Sequence, residues 1–437
     1  MRNPNVVFIL ADDLGWGDVG YHGSDIRTPN IDRLARRGVE LDRHYVCPVC
    51  TPTRAALMTG RHPGRFGRHA TAPSNLPVLP DNYYTLAHLF RNAGYATGLF
   101  GKWHLGSDPR QGPNHYGFDT SYGSFAGGVD PYSHLYKPGP YVRTWQRNGR
   151  AVDEPGHVTD LITNEAVGWI KRSKRPFFCY LPFTAVHTPI RPPEAWIDRY
   201  EGETYSDDPV KNEAFQRYAA YTSHMDHAIG RVIEAVKCRN ILDETLVVFA
   251  SDNGAVTYET PCDRMQYPGY RDDMQPAGCN LPLRGRKHTL YEGGIRTPGI
   301  LSWPGHLEPG KVEAPMHISD WMPTLASMLD VQVPGDPRWD GQDMWPMLSG
   351  AGNAPPPRSL YWNLHHRHFA LQESGWKLIR REPEDEAPLE LFHLAEDPCE
   401  TRNVAGEHPD RVAHLTDRIE AEFSRENESR RPDVEEA

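Results

Sequence analysis

The 437-residue sequence predicts an α/β fold in which a sheet is covered on both faces, followed by a smaller C-terminal unit of different design. Three observations carry this. Apolar runs at residues 6–10, 177–183 and 245–251 are continuous rather than alternating, as expected of strands buried on both sides. Helical segments separate those runs. From about Arg338 the alternation stops, and a Pro-rich link at 354–357 leads into short strands at 360–364, 369–372 and 376–380 and a helix at 410–423. The expected organisation is therefore a domain over 1–337, a second over 338–425 and a charged, frayed tail over 426–437.

The elements follow in order. Strand 6–10 ends at Asp12 and Asp13, with glycines after them. Two adjacent buried carboxylates are costly unless a cation neutralises them, although a solvated turn or a helix cap is the plainer reading. A helix at 28–38 and a strand at 39–45 deliver a loop centred on Cys50. A helix at 85–93, closed by Gly94, precedes strand 95–100, which empties into Lys102 and His104. These two alternate in an extended segment, so both can point one way into a cleft at the strand's C-terminal end. After a Gly- and Tyr-rich loop at 117–136 come a helix at 158–172 and strand 177–183, which leads to His187. The amphipathic helix from about 212 to 236 carries His224 and His227 as face residues rather than ligands. Strand 245–251 then delivers Asp252 and Asn253. A Pro/Gly-rich insertion at 257–280 precedes a basic run holding Lys287, whose flanking glycines let backbone approach a ligand closely. The insertion and Tyr122, Asp130, Tyr132 and His134 are expected to line a substrate pocket.

Cys50 sits in a Pro-punctuated turn running into a short helix, with Pro52 near the first helical position and Gly60 as the stop. A helix N-terminus there favours an anion, either a thiolate or ligand oxygens, and Arg54 follows one turn later. Two readings compete on the residues themselves, a buried small hydrophobe and a redox or zinc pair with Cys47, and a third rests on the family resemblance given below. No second C-x-x-C exists among the seven cysteines to complete a zinc site, and seven do not make a disulfide scaffold.

A net charge of -11 and a pI near 6.0 argue against a nucleic-acid surface, so an anionic substrate must be drawn by a local basic site. Asp12, Asp13, Asp252 and Asn253 offer oxygen only, a set for a hard cation such as calcium or magnesium and not for zinc. Arg54, Lys102 and Lys287 would balance the carboxylates and hold the substrate. No run is long enough for a membrane span, and residues 6–10 are too short for a signal core. The sequence as it stands reads as cytoplasmic, and as periplasmic or secreted if a leader was removed.

The segments A-D-D-L-G-W-G-D, C-T-P-T-R, G-K-W-H-L-G, V-H-T-P, S-D-N-G and R-G-R-K-x-x-x-Y-E-G-G-I-R-T-P occur in this order. They are joined by H-I-S-D-W-M-P-T-L at 317–325, W-K-L-I at 376–379 and E-L-F-H-L-A-E-D-P-C-E-T-R-N-V at 390–404. Together they make the chain resemble the type I, formylglycine-dependent sulfatases of the alkaline phosphatase superfamily. I-R-T-P-N-I-D, N-L-P-L-R-G-R-K and H-I-S-D-W look most similar to arylsulfatase B, an N-acetylgalactosamine-4-sulfatase.

The resemblance implies a large α/β/α sandwich with a mixed, mostly parallel sheet and a small C-terminal domain with an antiparallel sheet. It implies a sulfated saccharide or aryl sulfate as substrate, calcium rather than magnesium, and Cys50 oxidised to formylglycine by a formylglycine-generating enzyme. The hydrated aldehyde of Cys50 would join Asp12, Asp13, Asp252 and Asn253 on the metal, with Asp252 helping to remove its proton. Arg54 and Lys102 would hold developing charge, and His187 and Lys287 would serve the leaving oxygen. His104 would take the proton of the second hydroxyl and so expel sulfate, a step that a serine could not perform. A phosphonate or phosphate diester hydrolase and a catalytically silent sulfated-glycan-binding protein are the rival readings.

Overall fold

The opening apolar run becomes β1 (Asn5–Ala11), buried throughout. Its pleat explains why no polar residue interrupts it. Val6, Phe8 and Leu10 enter the core on one face of the sheet, and Val7, Ile9 and Ala11 enter the core on the other. Each such side chain contributes about 1.5–3 kcal/mol of burial, so a charge at any of the six would be excluded by energy alone. The computed structural model describes residues 4–260, 267, 269–353, 355–381 and 388–431.

The remaining strands of the large unit are β2 (Val39–Leu41), β3 (His44–Tyr45), β4 (Ala96–Lys102), β5 (Thr120–Ser124), β6 (Trp145–Arg147) and β7 (Arg150–Ala151). Then come β8 (Phe177–Pro182), β9 (Thr245–Ser251), β10 (Gly299–Ser302), β11 (Gly310–Val312) and β12 (Met316–His317). Ten of them form one sheet in the order β11-β2-β10-β9-β1-β8-β4-β5-β6-β7. Its centre, β9-β1-β8-β4-β5, is parallel, and antiparallel pairs lie toward both sides. The expected strand 39–45 divides in two, because β2 pairs with β10 and β11 whereas β3 leaves to pair with β12.

Helices α1 (Pro29–Arg37), α2 (Cys50–Thr59), α3 (Leu86–Asn92) and α4 (Val158–Arg172) and the 30-residue helix Pro209–Cys238 cover the two faces. Helix α2 is buried along its whole length and stops at Gly60, whose φ of 69° is the left-handed cap that glycine takes without strain. Cys50 is its first residue, so Pro52 lies two positions further in than expected. Among the described residues no helix is long and apolar enough to cross a membrane.

A second, antiparallel sheet has the order β13 (Leu360–Leu364), β14 (His368–Glu373), β15 (Trp376–Arg381) and β16 (Glu390–His393). Alternation now operates. Leu360, Trp362 and Leu364 pack on Tyr45, Val49, Leu290 and Ile295 of the large unit, whereas Tyr361 turns to Leu415 and Ile419 of the helix Pro409–Phe423. Trp362 donates its indole N–H to the Val46 carbonyl at 2.8 Å, four residues before Cys50.

The expectation of a frayed tail fails for residues 426–431; residues 432–437 lie outside the described ones. Glu426 accepts hydrogen bonds from Tyr361 Oη at 2.8 Å and Asn363 Nδ2 at 2.6 Å. Arg431 reaches the Leu79 carbonyl and Asp81. High charge density predicts solvation, but Glu426 and Arg431 find partners within the fold. Glu426→Ala is therefore expected to cost about 2 kcal/mol, read as a lowered denaturation midpoint; a solvated tail would give no shift.

Candidate active site

The site lies where the parallel strands end. Asp12 and Asp13 follow β1, Asp252 and Asn253 follow β9, Lys102 closes β4 with His104 two residues on, and His187 follows β8. Cys50 and Arg54 enter on α2, and Lys287 comes from the loop before Tyr291. One oxygen each from Asp12, Asp13 and Asp252 and the Cys50 sulfur lie within 4.8 Å of one another, all buried. Thus the predicted catalytic and metal-binding residues converge on one place.

Each carboxylate carries its own cation. Lys102 Nζ is 2.7 Å from Asp12 Oδ2, Lys287 Nζ is 2.6 Å from Asp13 Oδ1, and Arg54 Nη2 is 2.7 Å from Asp252 Oδ2. Three buried anions against three buried cations leave no net charge. A divalent ion and a sulfate monoanion could then enter a site that already compensates its own carboxylates.

The titration directions follow from this pairing. Burial pushes Asp12 up to about 7, against the pull of Lys102. Burial raises Asp13, but the charge and hydrogen bond of the Lys287 ammonium, with the charge of Lys102, hold it below the usual carboxylate range. The Cys50 thiol is pushed up to about 12 by burial and by Asp252. This corrects one sequence expectation. The helix N-terminus is worth only about 0.3–1 kcal/mol to an anion, too little to hold a thiolate here. Cys47 is likewise pushed up to about 12 by burial, and both thiols are free, so neither has the acidic character of a redox pair.

His104 takes a left-handed conformation (φ 60°) rather than the extended one predicted, and this turns its ring back toward α2. Its Nε2 is 3.3 Å from Thr51 Oγ1, and burial with the charges of Lys102 and Arg54 keeps it neutral. His187 Nε2 lies 3.9 Å from Asp13, and Nδ1 is 2.7 Å from the Thr188 carbonyl. Burial holds this imidazole neutral too, with Lys287 and Lys102 opposing the pull of Asp13. Two glycines make room for these rings: a Cβ on Gly127 would come within 2.4 Å of His104 Nε2, and one on Gly128 within 3.2 Å of His187 Nδ1.

Three of the residues expected in the pocket are engaged with neighbours in the fold. Tyr122 donates its hydroxyl to Glu154, Asp130 pairs with Arg191, and His134 stacks on Trp145 with Nε2 at the Gly156 carbonyl. These three brace the 120–157 region. From the insertion, residues 261–266 and 268 lie outside the described ones, but Tyr267 is buried with its hydroxyl beside Gly128 and so does face the site. Thr51 escaped the sequence reading because a hydroxyl next to the key cysteine carries no spacing signal. Asp18, which accepts from the Gly15 and Cys279 amides and from Tyr218, shapes the loop behind Asp13; it was visible only as the last letter of A-D-D-L-G-W-G-D.

The profile described as "Sulfatase" matches residues 4–331, from β1 through the last strand of the large sheet. The chain belongs to the sulfatase family. A second profile, "N-sulphoglucosamine sulphohydrolase, C-terminal", matches residues 286–428. Arylsulfatase J of Mus musculus is 35% identical over 386 residues, covering 85% of this chain and 60% of that one. N-acetylgalactosamine-6-sulfatase of Homo sapiens is 31% identical over 448 residues, covering 91% and 80%. A solved structure of Ps i-CgsB with k-i-k-neocarrahexaose superposes with a TM-score of 0.84 at 30% identity, covering 98% of this chain and 94% of that one. The chain thus spans less than two thirds of arylsulfatase J. These relatives include several sulfatase types and do not single out arylsulfatase B.

Proposed function

We propose that this chain hydrolyses sulfate esters of carbohydrates and of small aryl sulfates, using Cys50 as the precursor of its nucleophile and a calcium ion held by Asp12, Asp13, Asp252 and Asn253. The observation that carries the reading is the convergence of those oxygen donors with Cys50, Arg54, Lys102, His104, Lys287 and the partly exposed His187 in one cluster. The donor set fits the cation. Asn253 is fully buried, its amide N–H reaches Asp13 Oδ1 at 2.7 Å, and its Oδ1 has no hydrogen-bond partner. An orphaned buried carbonyl oxygen costs about 1–3 kcal/mol, which a bound hard cation would remove. When bound, such an ion supplies charge neutralisation and activates a hydroxyl held against it. The hydrated aldehyde derived from Cys50 supplies that hydroxyl and a second one on the same carbon.

The chain's own residues then have separable tasks. Arg54 and Lys102, fixed by Asp252 and Asp12, present positive charge to the sulfate oxygens and to the charge that develops on them. Asp252 accepts the nucleophile's proton. Lys287 lies 3.4 Å from Cys50 Sγ and keeps its protons, because the Asp13 carboxylate outweighs the effect of burial. It is therefore the better donor to the leaving oxygen, with the neutral His187 orienting that group. His104, neutral and with Nδ1 unpartnered, is the base that takes up a proton when sulfate is expelled.

The test is sulfate release from an aryl sulfate by protein co-produced with a formylglycine-generating enzyme, before and after chelation, with the 44–54 peptide weighed in parallel. Turnover that chelation abolishes and calcium restores, together with an aldehyde at position 50, is the expected result. An unmodified Cys50 in an active sample, or faster cleavage of an aryl phosphodiester, would overturn it.

A further inference from the structure

We propose that the solvent side of this site holds a second anion-binding subsite, formed by Arg68, Arg286, His288 and His365, which selects saccharides bearing another anionic substituent near the scissile sulfate. The inference rests on the sulfatase reading above and deepens it.

Three separate stretches of chain meet there. His288 follows the buried Lys287 directly but is itself exposed, and its amide donates to the Pro48 carbonyl at 3.0 Å, just before Cys50. The rings of His288 and His365 stack with centroids 6.4 Å apart. His365 is held in turn against the 68–71 turn, its amide 3.3 Å from the Thr71 carbonyl. The β13–β14 turn of the small sheet is therefore part of the rim around the catalytic cluster.

Charge and conformation single this patch out. In a chain of net charge -11, neither Arg68 nor Arg286 lies within ion-pair distance of a carboxylate among the described residues. Arg286 is half-buried, and its Nε is buried with no hydrogen-bond partner. An unsatisfied buried N–H costs about 1–3 kcal/mol, a cost that an oxyanion would remove, and the guanidinium fork fits the oxygens of sulfate or carboxylate. His288 and His365 both adopt left-handed φ angles, 67° and 60°, and His366 follows at 56°. A hairpin turn with successive positive φ angles is ordinarily built from Asn-Gly, so imidazoles at these places forgo local stability. Desolvation of the rings, and after it the nearby positive charges, keep both imidazoles neutral, so that they can act as hydrogen-bond donors to an anion already held by the arginines.

Rates on four probes test this: an aryl sulfate, a monosulfated disaccharide, its disulfated counterpart, and a monosulfated disaccharide carrying a uronate. The wild-type protein is expected to favour one of the doubly anionic probes over the monosulfated disaccharide by about tenfold or more in kcat/KM, mainly through KM. Which probe gains tells whether the second anion is sulfate or carboxylate. Arg286→Gln and the exposed Arg68→Gln should each shrink that ratio, Arg286→Lys should recover part of it, and added salt should weaken it. Equal kcat/KM on all three saccharides, or a ratio untouched in both glutamine variants, overturns the subsite. No release from any probe, the aryl sulfate included, would instead strike down the sulfatase reading.

Discussion

Cys50→Ser is expected to fold normally and to lose about 10⁴-fold or more of its sulfatase turnover. The side chain is 2% exposed at the first position of α2, and serine fills nearly the same volume beside Asp12, Asp13 and Lys287. Stability should hardly change. Chemistry should stop part-way, because a serine hydroxyl can attack sulfur but leaves no second hydroxyl on the same carbon for His104 to deprotonate. The variant should therefore accumulate one sulfuryl group per chain at position 50, detectable by peptide mass after incubation with an aryl sulfate. Multiple turnovers by this variant would show that Cys50 is not the origin of the nucleophile.

Lys377→Met should produce the largest loss of stability, about 3–5 kcal/mol against a typical total of about 5–15. Lys377 is fully buried on β15, with Nζ 2.9 Å from Glu292 Oε1 and 2.9 Å from Glu400 Oε1. Glu292 also accepts from Tyr45 Oη at 2.9 Å, and Glu400 from the Glu292 amide at 2.6 Å. Removing the ammonium strands two carboxylates in an apolar setting between the small sheet and the segments that present Cys50 and Lys287. A denaturation midpoint unchanged from the parent would refute this account.

The same cluster sets a pH dependence. Burial and the like charge of Glu292 push Glu400 up to about 7, despite Lys377, from the 4.5 of a free side chain. The native state therefore binds this proton more tightly than the unfolded chain. The group's contribution to stability is present below pH 4.5 and is lost as the pH rises through about 7. Glu400→Gln should flatten the stability profile over that window.

What the sequence disclosed follows from where each residue's partners lie. β1, β8 and β9 are buried on both faces, so their apolar runs are unbroken and the acids just past them stand out. The Cys50 turn was legible because Pro and Gly act locally. The Lys377 cluster was not, because its members are 85 and 108 positions apart and no periodicity records a long-range ion pair. His104 was placed correctly in space for the wrong local reason, since only its left-handed φ, not strand alternation, brings it to Thr51. Residues 426–431 were misjudged by composition: a charged stretch reads as solvated until Tyr361 and Asn363 are seen to wait for Glu426.

The burial of Cys50 also fixes an order of events in the life of the chain. Asp252 and Lys287, which help to enclose that sulfur, are synthesised some two hundred residues after it. A modifying enzyme needs the thiol in the open, and the folded protein leaves only 2% of that residue accessible. If Cys50 is converted as proposed, the window for installing the nucleophile closes when the later strands arrive. In a host that makes or folds this chain faster than it is modified, part of the population would be sealed as inert, well-folded protein, and no later treatment short of unfolding could recover it.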